Sequence, residues 1–151
     1  MADHGGHDEQ KSEWPDVLAR CGLRVVEEAA QGGPSLRSAL HAVTGVEVDP
    51  VATVPLSSPD ATAALDEKWH LLASEVSLYD DKGDFLILPP VSGGSGVGWV
   101  RVRDTVGTRL PSRIAEVTGS PEFVAVSTDG RRLCAASVEE YDYWVVLHEF
   151  S

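Results

Sequence analysis

The chain has 151 residues, a length typical of one domain, and it contains no apolar run approaching the roughly 18 residues that a membrane-spanning helix needs. Its 24 acidic residues against 12 lysines and arginines give a formal net charge of -12, which excludes a general nucleic-acid binder or a protein of anionic membrane surfaces, because both need a basic face. The N-terminus lacks the basic start and apolar stretch of a signal peptide, so we expect a soluble cytoplasmic protein.

The N-terminal segment, residues 1–12, is polar and has no hydrophobic periodicity. We expect it to be a disordered tail in front of a single domain of residues 13–151. His4 and His7 flank two glycines beside acidic residues, but such tails are typically solvated. We therefore predict no metal site in this segment.

The first half of the domain shows helix signals. Pro15 indicates the first position of one helix, Ser35 the cap of a second, and Ser58 the cap of a third. Residues 23–30 fit either a continuation of the first helix or a strand, and the sequence leaves both open. Residues 46–56 contain two prolines, which predicts an extended segment at the edge of a sheet.

The second half changes to strand patterns. The predicted strands are 75–80, 84–88, 98–104, 123–127, 131–138 and 141–150, with a helix at 110–119. We predict that the first two strands form one hairpin and that the fourth and fifth form another, because each pair is joined by a short glycine-containing turn. The fold class is therefore α+β, with a largely antiparallel sheet of about five to six strands that N-terminal helices cover on one face.

The glycine-rich loop 89–98 raises the possibility of a phosphate site. It lacks the lysine and hydroxyl of a phosphate-binding P-loop, and a strand follows it instead of a helix, so both common phosphate motifs fail. We interpret it as a long mobile connection. The alternative is a flap over an anionic ligand that Arg101 and Arg103 hold from one face of the next strand, with His148 or His70 transferring protons.

Other candidate motifs are incomplete. The segment 80–84 has three carboxylates but not the loop of a calcium site, and His148 belongs to no HExxH pair. Cys21 and Cys134 lie outside any CxxC and are expected to be reduced, buried thiols. We therefore predict no catalytic residue, no metal and no cofactor.

The segment VEEYDYWVV near the C-terminus is the most distinctive surface candidate. Its acidic residues alternate with aromatic ones, a composition that is favoured at interfaces and that attracts basic partners. The predicted partner-binding residues are Glu139, Glu140, Tyr141, Asp142 and Trp144. The alternative is a plain turn that leads into a core strand.

The combined pattern predicts a non-enzymatic protein-binding module that occludes a basic partner protein. In size, acidity and α+β build the chain looks like the small immunity proteins that neutralise bacterial toxins, or like a secretion chaperone. This likeness is one of general character, so it implies no site residue. The nine arginines against three lysines suggest a GC-rich bacterial genome. The alternative function is an anion-binding domain, or a small enzyme, with its pocket under the 89–98 loop.

Overall fold

The computed structural model describes residues 13–44 and 48–150, which contain five helices and seven strands. In chain order the elements are α1 (Trp14–Arg20), β1 (Leu23–Glu27), α2 (Leu36–Thr44), β2 (Ala52–Pro55), α3 (Ala61–Glu75), β3 (Asp84–Ile87), α4 (Gly94–Val97), β4 (Val100–Asp104), α5 (Leu110–Thr118), β5 (Phe123–Val126), β6 (Arg132–Val138) and β7 (Asp142–Glu149).

The seven strands form one antiparallel sheet in the order β1-β4-β3-β5-β6-β7-β2. The predicted α+β class with an antiparallel sheet is confirmed, and the undecided segment 23–30 contributes the edge strand β1. A positive φ at Gly22 ends α1 and turns the chain directly into that strand. The other edge strand, β2, ends at Pro55, as the proline-rich segment predicted.

The two faces of the sheet carry separate hydrophobic clusters. On β3, Phe85 belongs to the larger cluster with residues of α1, α3 and α5, whereas Leu86 belongs to the smaller cluster with Trp99, which directly precedes β4. Helix α2 buries Ala39 and Val43 in this smaller cluster. Helices therefore pack on both faces, and the expectation of a single covered face is wrong, because α2 crosses to the second face. The larger cluster includes Leu18, Leu65, Trp69, Val102 and Ile114.

The predicted hairpin of strands 75–80 and 84–88 is wrong. Helix α3 extends to Glu75, and its end is closed by Ser77, which has φ 55°, and by the N–H of Leu78, which donates to a helix carbonyl at 2.9 Å. The alternating apolar residues of 75–80 cover the end of this helix and form no strand, and Leu78 among them is fully buried. The carboxylate of Asp80 then closes the turn into β3, whose neighbours are β4 and β5.

Helix α5 receives its N-terminal cap from α3. Its own cap residue, Arg109, makes no side-chain capping bond. Instead the N–H of Leu110 donates to Nε2 of His70 at 3.1 Å, and the N–H of Ser112 donates to Asp66 at 2.9 Å. The hydroxyl of Ser112 also donates to Asp66. Two N–H groups that a helix start leaves without partners are thus satisfied by a neighbouring helix.

The capping carboxylate can be tested by Asp66→Ala. We expect the free energy of unfolding in urea to fall by about 1–2 kcal/mol, the usual cost of losing a capping side chain. The matched control is Glu67→Ala, an exposed neighbour on the same helix whose loss should change stability by less than about 0.5 kcal/mol. Equal effects of the two substitutions would show that Asp66 does not cap α5.

The imidazole of His70 makes a second prediction. Burial lowers its pKa below the ordinary value of 6.5, with Arg113 acting in the same direction and Asp104 and Asp66 opposing. The unfolded chain therefore binds a proton before the folded chain does, so stability is full above pH 6.5 and declines as pH falls below it. Protonation also removes the acceptor for the Leu110 N–H.

We expect the wild-type free energy of unfolding to fall more steeply than that of His70→Gln between about pH 6.5 and 5. Chemical denaturation at several pH values measures the difference. The exposed His148→Gln variant is the control and should follow the wild-type curve. Parallel curves for wild type and His70→Gln would contradict the capping role of the neutral imidazole.

Candidate partner-binding site

The β6–β7 hairpin presents the predicted acidic and aromatic residues at one end of the sheet. Val138 pairs with Tyr143, and the N–H of Glu139 donates to the carbonyl of Asp142 at 2.8 Å, which closes the turn. The carbonyl of Tyr141 accepts the N–H of Leu56 at 2.9 Å, just beyond the end of β2. The turn is therefore held by backbone hydrogen bonds to its own hairpin and to a neighbouring strand.

A fourth carboxylate joins this turn from another strand. Glu122 directly precedes β5, which pairs with β6, and its Oε2 accepts the N–H of Val138 at 3.2 Å. The hydroxyl of Ser137 donates to Glu139 at 2.9 Å. We call Glu122, Glu139, Glu140 and Asp142 the acidic hairpin end. None of the four forms an ion pair within residues 13–44 and 48–150.

Apolar side chains lie among these carboxylates. The side chain of Tyr141 at the turn is 73% exposed, and Val138 and Leu56 beside it are 39% and 37% exposed. Trp144 is half-buried and lies between Ser137 and the β2 strand. The structure thus brings all five predicted partner-binding residues to one hairpin, four of them at the turn and Trp144 two residues further along β7.

Sequence reasoning missed Glu122 and Leu56. Both lie far from the hairpin in the chain and reach it only through strand pairing, β5 with β6 and β2 with β7. Their position directly before or after a strand is the one local signal that places them at a sheet end.

The two arginines of the alternative anion site are engaged by carboxylates. Arg101 and Arg103 share one face of β4, as the alternation predicted, and both bond Asp84, at 2.9 and 2.6 Å. Arg101 also bonds Asp80 at 2.9 Å. The side chain of Asp84 is 1% exposed. An anion would have to displace this carboxylate, so the geometry gives the anion-site hypothesis no support.

The pKa of Asp84 lies below its usual value. The hydrogen bonds from Arg103 are the largest cause and those from Arg101 add to them, while burial acts in the opposite direction. The carboxylate therefore stays charged at neutral pH and pairs with both guanidinium groups, while Asp80 supplies the second negative charge through its bond to Arg101.

His148 does not meet these arginines. It lies on β7, which three strands separate from β4, and its ring centroid is 4.6 Å from that of Phe150. It borders an open groove of about 400 Å³ together with Arg132, Glu75 and Glu149. The two carboxylates oppose an anion there. The imidazole of His70, the other proposed proton carrier, instead accepts a backbone N–H at the start of α5.

The glycine-rich loop contains the short helix α4, entered through a positive φ at Gly93. A second open groove, of about 500 Å³, runs between this loop, α1 and the end of α5. Its lining residues include Val17, Val91, Ser92, Val117, Thr118 and Glu122. Neither Arg101 nor Arg103 lines it, so the structure does not assemble the predicted anion pocket under this loop.

Both cysteines are buried and free. Burial raises the pKa of Cys21 to about 11, and burial also raises the pKa of Cys134. Thiols with raised pKa values are poor nucleophiles at neutral pH. These cysteines therefore act as packing residues.

Among the described residues, no group of three His, Cys, Asp or Glu side chains is placed to hold a metal ion. His4 and His7 lie outside the described residues. Within the same ranges no helix combines the length and apolarity needed to cross a membrane.

No protein family matches the chain, and no curated protein or solved structure matches it. Its function is therefore inferred from its own residues.

The ion-pair cluster on β4 can be tested by Asp84→Asn. We expect a melting temperature several degrees lower at neutral pH, because two guanidinium groups lose their common charge partner. The pKa of Asp84 is lowered by folding, so its contribution is present above pH 3.8 and is lost as pH falls below it. The difference should therefore shrink in acid. The control is Asp81→Asn, an exposed neighbour that should melt like wild type, and an unchanged melting temperature for Asp84→Asn would contradict this role.

Proposed function

We propose that the chain is a non-enzymatic binding module that recognises a basic protein through the acidic hairpin end. The observation that carries this proposal is the cluster of four carboxylates without a lysine or arginine partner among the described residues. Three of them, Glu139, Glu140 and Asp142, lie in the same turn as the exposed Tyr141. Charge and apolar area thus occur together at one end of the sheet.

The charges favour a basic partner over a second copy of the chain. The whole molecule carries -12, and its arginines on β4 and α5 are paired internally, so long-range repulsion opposes self-association and attracts cations. Unpaired surface carboxylates raise the rate at which a basic partner arrives, and they discriminate against acidic proteins.

The apolar residues supply the contact area. Tyr141 offers a large ring with a polar hydroxyl, a type that is enriched at interfaces. Val138 at the end of β6 and Leu56 just beyond the end of β2 are exposed near it. Because backbone hydrogen bonds already hold the turn, little conformational entropy is lost when a partner binds.

The biological role consistent with this surface is occlusion. A partner whose active surface is basic would be covered by the hairpin end, as expected of an immunity-like or chaperone-like protein. A domain that binds a small anion is the second candidate function, but Arg101 and Arg103 already bond Asp84.

Charge reversal tests the proposal. The variant E139K/E140K/D142K changes three carboxylates at the hairpin end, and the control E27K/E28K/E67K changes three exposed carboxylates elsewhere. Three reversals of two charges each move the net charge from -12 to -6 in both. In pull-downs from native cell extract at low salt, quantified by mass spectrometry, we expect wild type and the control to enrich the same basic protein and the hairpin variant to lose it.

With the captured protein purified, stopped-flow mixing measures the association rate. We expect a decrease of at least about tenfold for the hairpin variant at low salt, and convergence with wild type at high salt, where the charges are screened. Equal association rates for wild type and the hairpin variant at low salt would refute the proposed interface.

A further inference from the structure

The 500 Å³ groove between α1, the glycine-rich loop and the end of α5 lies next to the acidic hairpin end. We propose that this groove receives a lysine or arginine side chain of the partner. The inference rests on the proposed function and deepens it, because it names the type of residue that anchors the partner and the place where that residue sits.

The walls of the groove suit the stem of a long basic side chain. Val17 from α1, Val91 from the loop and Val117 from α5 line it, and all three are half-buried and pack against the larger hydrophobic cluster. Lysine and arginine bury their methylene stems along apolar surface while the charged head keeps polar contacts. Walls that belong to the core are already in place before a side chain enters.

The charge of the groove suits the head group. Glu122 lines it, and the bond from the Val138 N–H holds this carboxylate between the groove and the hairpin. Helix α5 ends at Thr118, so its terminal carbonyls place the negative end of the helix dipole at the groove. No lining residue among those described is basic. A cation with an apolar stem matches both features, whereas an anion matches neither.

The acidic hairpin end and the groove therefore recognise different features of the partner. The four carboxylates attract any basic surface, and the groove selects one long side chain on that surface. Glu122 belongs to both, which makes the two parts one continuous site.

The test uses oligolysine as the probe, with the full chain observed by NMR at low salt. Ser92→Phe fills the groove from its exposed rim without changing the net charge. The matched control is Ser95→Phe, which places the same ring at an exposed position of α4 that does not line the groove. Amide spectra of both variants establish that the fold is retained.

We expect oligolysine to shift the methyl signals of Val17, Val91 and Val117 together with the amide signals of the acidic hairpin end. Ser92→Phe should weaken oligolysine binding by about tenfold, since it removes one buried anchor, and Ser95→Phe should bind like wild type.

Each of the following outcomes would overturn the groove proposal, the hairpin interface or both. Shifts confined to the acidic hairpin end, with equal binding by Ser92→Phe and Ser95→Phe, would overturn the groove and leave the proposed function standing. Shifts confined to the groove would support the groove and overturn the hairpin end as the interface. No binding, or shifts spread evenly to distant acidic residues such as Glu27, Glu28 and Glu67, would overturn both.

Discussion

The ion pair between Arg113 and Asp104 is the contact on which the site depends. Their side chains are 9% and 2% exposed and meet at 2.9 Å, and Arg113 also donates to the carbonyls of Cys21 and Thr108. A buried charge pair is tolerated only when its remaining hydrogen-bonding groups are satisfied. This arginine therefore links α5 to β4 and to the end of α1, and so fixes the relative positions of the two helices that form walls of the groove.

The ion pairs of β4 and α5 engage three arginines away from the acidic hairpin end. Arg101 and Arg103 pair with Asp80 and Asp84, and Arg113 pairs with Asp104, so these three of the six basic residues of 101–132 form ion pairs within the fold. The carboxylates of the acidic hairpin end have no arginine or lysine partner among the described residues. The excess of acidic residues in the composition is therefore expressed at the acidic hairpin end, where four carboxylates lie together without a basic partner among the described residues.

The sequence predicted those parts that local patterns determine. The β5–β6 hairpin and β7 followed from alternation and a glycine turn, and the proposed partner-binding residues, Glu139, Glu140, Tyr141, Asp142 and Trp144, lie on one hairpin because they are close in the chain. The prediction of a hairpin that begins with a strand at 75–80 was wrong, because the apolar residues there cover the end of α3 instead of forming a strand. The contact of Glu122 with β6, the role of Asp84 and the cap that His70 gives to α5 all depend on which strands or helices are neighbours in the fold, and local sequence patterns do not specify these neighbours.

The edges of the sheet restrict how any other chain can approach. The edge strand β1 has a register shift between Val25 and Glu27, and β2 ends at Pro55, which has no N–H to offer. Both edges are poor templates for an additional strand, which protects the chain against edge-to-edge aggregation. The proposed recognition of a basic partner therefore relies on side chains, and these can change during evolution while the backbone stays as it is. Under the proposed function, a few substitutions at the β6–β7 turn would adapt the same backbone to a different partner.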